Sequence, residues 1–269
     1  MERFNNKICL VTGAGSGIGR ATALAFGKEG ARVVVADINL ENAEQTAQLI
    51  SDFGRKIAES TPQDDPFTPQ VIALKVDISN LEEIENMLKK TVETFGRLDC
   101  AVNVAGIAGT LSLPTHEYPL ENWHQQINVN LHGTYYCVKY QIEQMLKNNG
   151  GNIVCVSSAA GLRGQPNNVP YAASKHAVIG IVRTAAIEYA TQNIRINAIC
   201  PTAIETPMIM EGRRKLASNP EALQAAKNYQ AMKRMGQPEE VADVALYLCS
   251  DQASFITGHA LPVDGGAFA

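Results

Sequence analysis

The sequence predicts an α/β fold in which one parallel sheet is covered on both faces by helices. Two observations carry that prediction. Seven short runs of apolar, mostly β-branched residues recur along the 269-residue chain, with longer helical patterns between them. The runs are apolar almost throughout rather than alternating, as in strands buried on both faces. Crossovers between such strands are right-handed.

The elements follow in order. "KICLVT" (7–12) is the first strand, and it runs straight into a glycine-rich turn and a helical pattern over 17–30. "RVVVAD" (32–37) is the second, followed by a helix over 40–53. Residues 54–69, "GRKIAESTPQDDPFTP", carry three prolines and several acids and read as a surface loop insertion, which such positions tolerate well. "QVIALKVD" (70–77) and "LDCAVNV" (98–104) are the next strands, with helices over 80–96 and 120–149. "GNIVCVSS" (151–158) precedes a helix over 170–192. "IRINAIC" (194–200) leads into 202–236, rich in Met, Arg and Lys. That segment leaves a strand's carboxyl end, where ligands bind in open α/β sheets, so it reads as a mobile substrate lid. A helix over 238–250 and a short strand, "HALPVD" (259–264), complete the pattern. No tandem repeat interrupts it, and residues 1–269 read as a single domain with one core.

Composition narrows the functional classes. The net charge is -4 with a pI near 5.8, and no basic stripe is present, so nucleic acid is not an expected partner. The short cluster Arg213, Arg214 and Lys215 reads as a solvated face. Cysteines 9, 100, 137, 155, 200 and 249 lie far apart, several inside apolar runs, and read as small buried hydrophobes. The five histidines lack ligand spacing, so no metal is expected. The apolar run near the N-terminus is too short for a signal peptide, and no stretch of 18 apolar residues suggests a membrane span. Reduced thiols point to a cytoplasmic protein.

"VTGAGSGIGRA" sits between the first strand and the first helix. Its glycines follow G-x-x-x-G-x-G through Gly13, Gly17 and Gly19, with Gly15 between. Glycine lets a backbone turn tightly and approach a pyrophosphate, and the N–H groups of the helix start, from Ser16 through Ile18, favour phosphate. Asp37 ends the second strand. A carboxylate there accepts from both hydroxyls of an adenosine ribose and repels a 2′-phosphate, which favours NAD over NADP; a turn or helix cap is its structural alternative. Asp77, at the end of the third strand with Ile78 beside it, reaches either the adenine edge or the cap of the next helix.

Tyr171 and Lys175, in "YAASK", stand four apart and share one helix face. A tyrosine with the ordinary pKa of about 10 is a poor base near neutrality, and an adjacent ammonium favours its phenolate. Together with "TGAGSGIG" (12–19), Asp37, "NVAG" (103–106), "NVNLHG" (128–133), "SS" (157–158), "CPTAIETPM" (200–208) and "TGHALPVDGG" (257–266), this chain resembles the short-chain dehydrogenase/reductase family over its whole length.

The resemblance implies a single-domain doubly wound Rossmann fold with a seven-stranded parallel sheet. It also implies a tetrad of Asn130, Ser158, Tyr171 and Lys175. Tyr171 is then the general acid/base, Ser158 holds the substrate oxygen, Lys175 holds the nicotinamide ribose, and Asn130 anchors a water beside Lys175. Asn103, Ala105 and Gly106 shape the backbone around the adenosine ribose; Pro201, Ile204 and Thr206 border the nicotinamide. The implied activity is NAD-dependent alcohol dehydrogenation or ketone reduction on a small-molecule substrate. The alternatives are a 3-oxoacyl-(acyl-carrier-protein) reductase, which prefers NADP, and a non-catalytic NAD-binding sensor. Carbon–carbon double-bond reductases space their Tyr and Lys more widely. A homotetramer is implied, through the helices at 120–149 and 170–192 and through the C-terminal segment.

Two positions depart from the family pattern: Val104 replaces a second Asn, and Thr202 replaces a Gly. A β-branched Thr disfavours positive φ, so residue 202 is expected in an ordinary backbone region with its side chain facing the pocket. The other expected pocket walls are Ala108, Gly109, Ala160, Arg163, Asn168 and the lid.

Overall fold

The computed structural model describes residues 3–60, 70–212 and 215–269. Seven strands, β1 (Ile8–Thr12), β2 (Arg32–Asp37), β3 (Val71–Lys75), β4 (Cys100–Asn103), β5 (Gly151–Val156), β6 (Ile194–Pro201) and β7 (Ala260–Val263), form one sheet. Its order is β3-β2-β1-β4-β5-β6-β7 and every pairing is parallel. The order reverses between β1 and β4, which opens a crevice at the carboxyl edge of the sheet.

Side chains alternate along each strand, and this divides the core in two. Leu10, Val34, Ala101, Ile153 and Ile196 face one side. There they meet α3 (Leu81–Phe95), α5 (Thr134–Leu146) and α6 (Val169–Tyr189) through Ile84, Met87, Val138, Ile142, Val178 and Val182. Cys9, Val11, Val33, Val35, Val102 and Val154 face the other side. They meet α1 (Gly17–Lys28), α2 (Leu40–Ser60) and α9 (Pro238–Cys249) through Ala23, Phe26, Ile50, Val241 and Leu246. Both faces being covered explains why the strands read as unbroken apolar runs. Local signals agree: the Asn80 side chain accepts from the Glu82 and Glu83 N–H groups to start α3, and Gly96 at φ +87° ends it.

Two expectations need correction. The second helix does not stop at residue 53; it continues to Ser60, since 54–60 hold no proline to break it. The rest of the expected loop, 61–69, lies outside the described residues, as do Arg213 and Arg214. The long helix expected over 120–149 is two helices, α4 (Leu120–Ile127) and α5, joined by a π-helical stretch at Asn128–Gly133. The lid contains α7 (Pro207–Met210) and α8 (Pro220–Tyr229) around a small core of Leu216, Ala226 and Met235. Its two ends are tied together: Gly236 N donates to Ala203 O (3.0 Å), and Glu205 N donates to Gly236 O (2.9 Å).

Candidate active site

The site lies over the carboxyl ends of β1, β2, β4, β5 and β6. Two cavities meet there. The larger, about 590 Å³, runs from Asp37 and Asp77 to Tyr171, Lys175 and Thr206. The smaller, about 280 Å³, lies under the lid. Ser158, Tyr171 and Thr202 line both, so they form the wall between a long chamber and a compact one.

The long chamber begins at the glycine turn. Gly13 takes φ +66° and lies so close to β4's exit that a Cβ would stand 2.7 Å from Ala105 Cα. Gly19 packs against the turn itself, its Cβ position only 2.0 Å from Gly13 O. Gly17 takes φ +48° beside Thr206. Ser16 precedes α1 in an extended conformation, and no side chain caps the helix. The first-turn N–H groups and the positive end of α1 therefore face the chamber, a donor set suited to a pyrophosphate. Ser16, Ile18, Ala105 and Gly106 border it. Gly15 is not on the wall; its N–H donates to Asp37 Oδ2 (2.8 Å). Asp37 Oδ1 accepts from Asn39 N (2.9 Å), so both carboxylate oxygens are oriented by backbone while the group still lines the chamber. These features fit a nicotinamide dinucleotide. Asp77 is committed to its own turn, accepting from Ser79 N (2.9 Å) and Ser79 Oγ (2.7 Å), and it lines the chamber beside Ile78.

Asn103 is placed elsewhere. It is buried, and its amide pairs reciprocally with that of Gln141 on α5 (2.8 Å both ways), tying β4 to the helix rather than facing the chamber.

At the other end Lys175 is buried, and its Nζ donates to Val156 O (2.9 Å). Nζ lies 5.7 Å from the Tyr171 ring centroid. Burial pushes the Lys175 pKa down to about 8, because an ammonium loses hydration there and no carboxylate compensates. Ser157 Oγ donates to Lys175 O (2.8 Å), holding this turn of α6 against β5. Ser158 Oγ accepts from Ala160 N (3.1 Å), which leaves its O–H to donate. The serine pair thus divides its work, one anchoring the helix and one facing both chambers.

Asn130 sits in the π-helical stretch, fully buried. Its side chain does not hold the lysine. Oδ1 accepts from Ile107 N and Nδ2 donates to Ile107 O, both at 2.8 Å. Asn130 therefore clamps the chain leaving β4. A Cβ on the intervening Gly106 would stand 3.1 Å from Asn130 Oδ1 and 3.5 Å from Lys175 Nζ, so the clamp and the lysine meet over a position that only glycine leaves open.

Pro201, Ile204 and Thr206 border the long chamber, and Thr202 faces both. Thr202 is not among the positive-φ residues. Ala108, Ala160, Arg163 and Asn168 line the small chamber; Gly109 does not, since it takes φ +72° against the Gln126 side chain. Sequence reading missed Ile107 and Ser157. Ile107 acts through backbone groups that leave no side-chain signal, whereas the paired serines "SS" were a signal for both members. Among the described residues no group of three or more His, Cys, Asp or Glu could hold a metal ion, and no helix is long and apolar enough to cross a membrane.

Comparisons with known proteins agree with this geometry. A family model described as "Enoyl-(Acyl carrier protein) reductase" matches residues 13–267. The chain is 41% identical over 264 residues to a cyclohexanol dehydrogenase of Acinetobacter sp., covering 98% of this chain and 96% of the relative. It is 39% identical to a 3-oxoacyl-(acyl-carrier-protein) reductase of Thermotoga maritima, covering 98% of each. The crystal structure of levodione reductase superposes with a TM-score of 0.86 at 33% identity, covering 97% of each chain.

Proposed function

The chain belongs to the short-chain dehydrogenase/reductase family of oxidoreductases, and on that premise we propose that it interconverts a secondary alcohol and its ketone with NAD as redox partner. One observation carries the reading: Tyr171 and Ser158 form the wall shared by a dinucleotide-sized chamber and a compact one, with Lys175 buried behind them.

Tyr171 takes the carbinol proton in oxidation and returns it to the carbonyl oxygen in reduction. Ser158 donates its O–H to that oxygen and stabilises the charge that develops there. Lys175 has three donors; one goes to Val156 O, and two remain for ribose hydroxyls and for the proton path from Tyr171. Asn130 positions rather than reacts: it holds Ile107 so that the floor under Lys175 keeps its shape. When bound, a nicotinamide would serve as the hydride carrier in either direction.

Asp37 favours NAD, because a 2′-phosphate would meet a carboxylate with no cation nearby in Ser16 or Ile38. The same feature disfavours the acyl-carrier reading. The spacing of four between Tyr171 and Lys175 supports a carbonyl rather than a carbon–carbon double bond as the reacting group. The small chamber sits at the lower end of ligand-pocket volumes, which suits a compact and cyclic substrate. Six buried, unpaired cysteines suit a reducing cytoplasm.

The test is nucleotide reduction by purified protein, with NAD or NADP, across cyclic, steroid, polyol and β-hydroxyacyl secondary alcohols. NAD-dependent turnover that falls at least about a hundredfold in Tyr171→Phe supports the reading. Equal rates in wild type and Tyr171→Phe, with NAD still bound, would leave a sensor instead.

A further inference from the structure

The small chamber holds a charge that this chemistry does not use. Among the described residues, Arg163 is the one charged side chain on its wall, and no Asp or Glu lines it. The guanidinium carbon lies 4.8 Å from the centroid of the Tyr229 ring and 4.9 Å from that of Phe268. Tyr229 is the last residue of α8 in the lid, and Phe268 belongs to the C-terminal segment. Cation–π contacts of this kind hold a guanidinium against the rings without using its N–H groups as hydrogen-bond donors.

Those N–H groups have no acceptor among the described residues. Other arginines spend theirs on the protein: Arg97 on Asp99, Arg195 on three backbone carbonyls, Arg234 on both oxygens of Glu240. Arg163 is exposed at the cavity, and a planar fork of donors with no acceptor among the described residues matches a planar bidentate anion. The field of the chamber has the same sign, for the 21-residue helix α6 starts at its wall. Asn168, the residue before that helix, makes no capping hydrogen bond; its Nδ2 donates instead to Ala108 O (3.1 Å).

We infer that Arg163 is a specificity-determining residue that binds a carboxylate of the substrate. The substrate is then a compact secondary alcohol or ketone with a carboxylate on the side remote from the reacting carbon. This rests on the reading of the small chamber as the substrate site. Tyr229 and Phe268 are positioning residues, which fix the plane of the guanidinium and so link the lid and the C-terminal segment to substrate choice.

The experiment is calorimetric binding of 3-oxocyclohexanecarboxylate and its neutral carboxamide to the NADH-loaded protein. Wild type, Arg163→Met and Arg163→Lys are compared at pH 7. The acid is expected to bind about tenfold more tightly than the amide in wild type. That ratio should fall to about one in Arg163→Met and keep an intermediate value in Arg163→Lys, whose ammonium has the charge without the fork. It should also shrink with added salt. An arginine that merely latched the lid would move both affinities together and leave their ratio unchanged, and that result overturns the inference. So does equal binding of acid and amide in wild type, or binding of neither. Turnover of neutral cyclic alcohols without any preference for the acid would sink this inference alone, whereas a clear acid preference with no secondary alcohol oxidised would sink only the proposed reaction.

Discussion

Lys175 shows how a single residue exchanges stability for chemistry. Its pKa falls from 10.5 to about 8 through burial, so carrying the charge at neutral pH costs about 3 kcal/mol of folding stability. The sign follows from proton counting. Between pH 8 and 10.5 the unfolded chain binds the proton and the folded one does not, so the cost is full below pH 8 and vanishes as pH rises through that window. Lys175→Met is therefore expected to be inactive yet about 1–3 kcal/mol more stable than wild type at pH 7 by urea unfolding, with the gain gone near pH 10.5. A variant less stable than wild type at pH 7 would contradict this account. Asp37 makes a different trade. Asp37→Ala should lower kcat/KM for NAD by about tenfold or more and narrow the preference over NADP, measured by steady-state kinetics. It should also cost roughly 1–3 kcal/mol of stability, since the Gly15 and Asn39 N–H groups lose their acceptor. The types and spacing of Asp37, Ser158, Tyr171 and Lys175 were legible in the sequence. What Asn130 touches was not, because its partner is the backbone of Ile107, 23 residues away.

Among the elements, the π-helical stretch Asn128–Gly133 is the most informative departure from the periodic pattern. Nothing in the sequence marks it, because the stretch holds no proline to signal a break in the helix. Its consequence is local: it carries Asn130 inward toward Ile107 and brings Gly133 against β3's exit, where a Cβ would stand 2.7 Å from Ile78 O. Asn130→Ala removes two buried hydrogen bonds at once. It should lower the melting temperature by on the order of 5 °C, followed by circular dichroism, and reduce kcat more than it raises KM, since it disturbs the floor beneath Lys175 rather than the substrate wall. An unchanged melting temperature would show that the clamp is not needed. The strands were legible to within about two residues at each end, because burial on both faces leaves no alternation to misread. The end of α2 is hard to read from sequence, because Pro62, Pro66 and Pro69 make the whole of 54–69 look like loop although none lies within 54–60.

At the scale of the whole molecule, exposed apolar side chains lie along α4, α5 and α6: Leu120, Leu146 and Ile187 are 73%, 44% and 81% exposed. We propose that a four-helix contact between two copies covers them and, with a second two-fold contact, builds a tetramer. Light scattering should give a tetramer at micromolar concentration, and Ile187→Glu should shift it toward smaller species. A stable wild-type monomer would refute that assembly.

The order of strands and helices, the glycine-rich turn and the Tyr171–Lys175 pair were written into the chain, because each depends on short-range periodicity or on residues a few positions apart. Tertiary structure decided the rest. It placed Ser158, Tyr171 and Thr202 on one wall between two chambers, turned Asn103 away to Gln141 and closed Asn130 on Ile107. It also brought Tyr229 and Phe268, 66 and 105 residues beyond Arg163, onto one guanidinium. Contacts between distant segments exist only once both faces of the sheet are packed, and no local pattern encodes them.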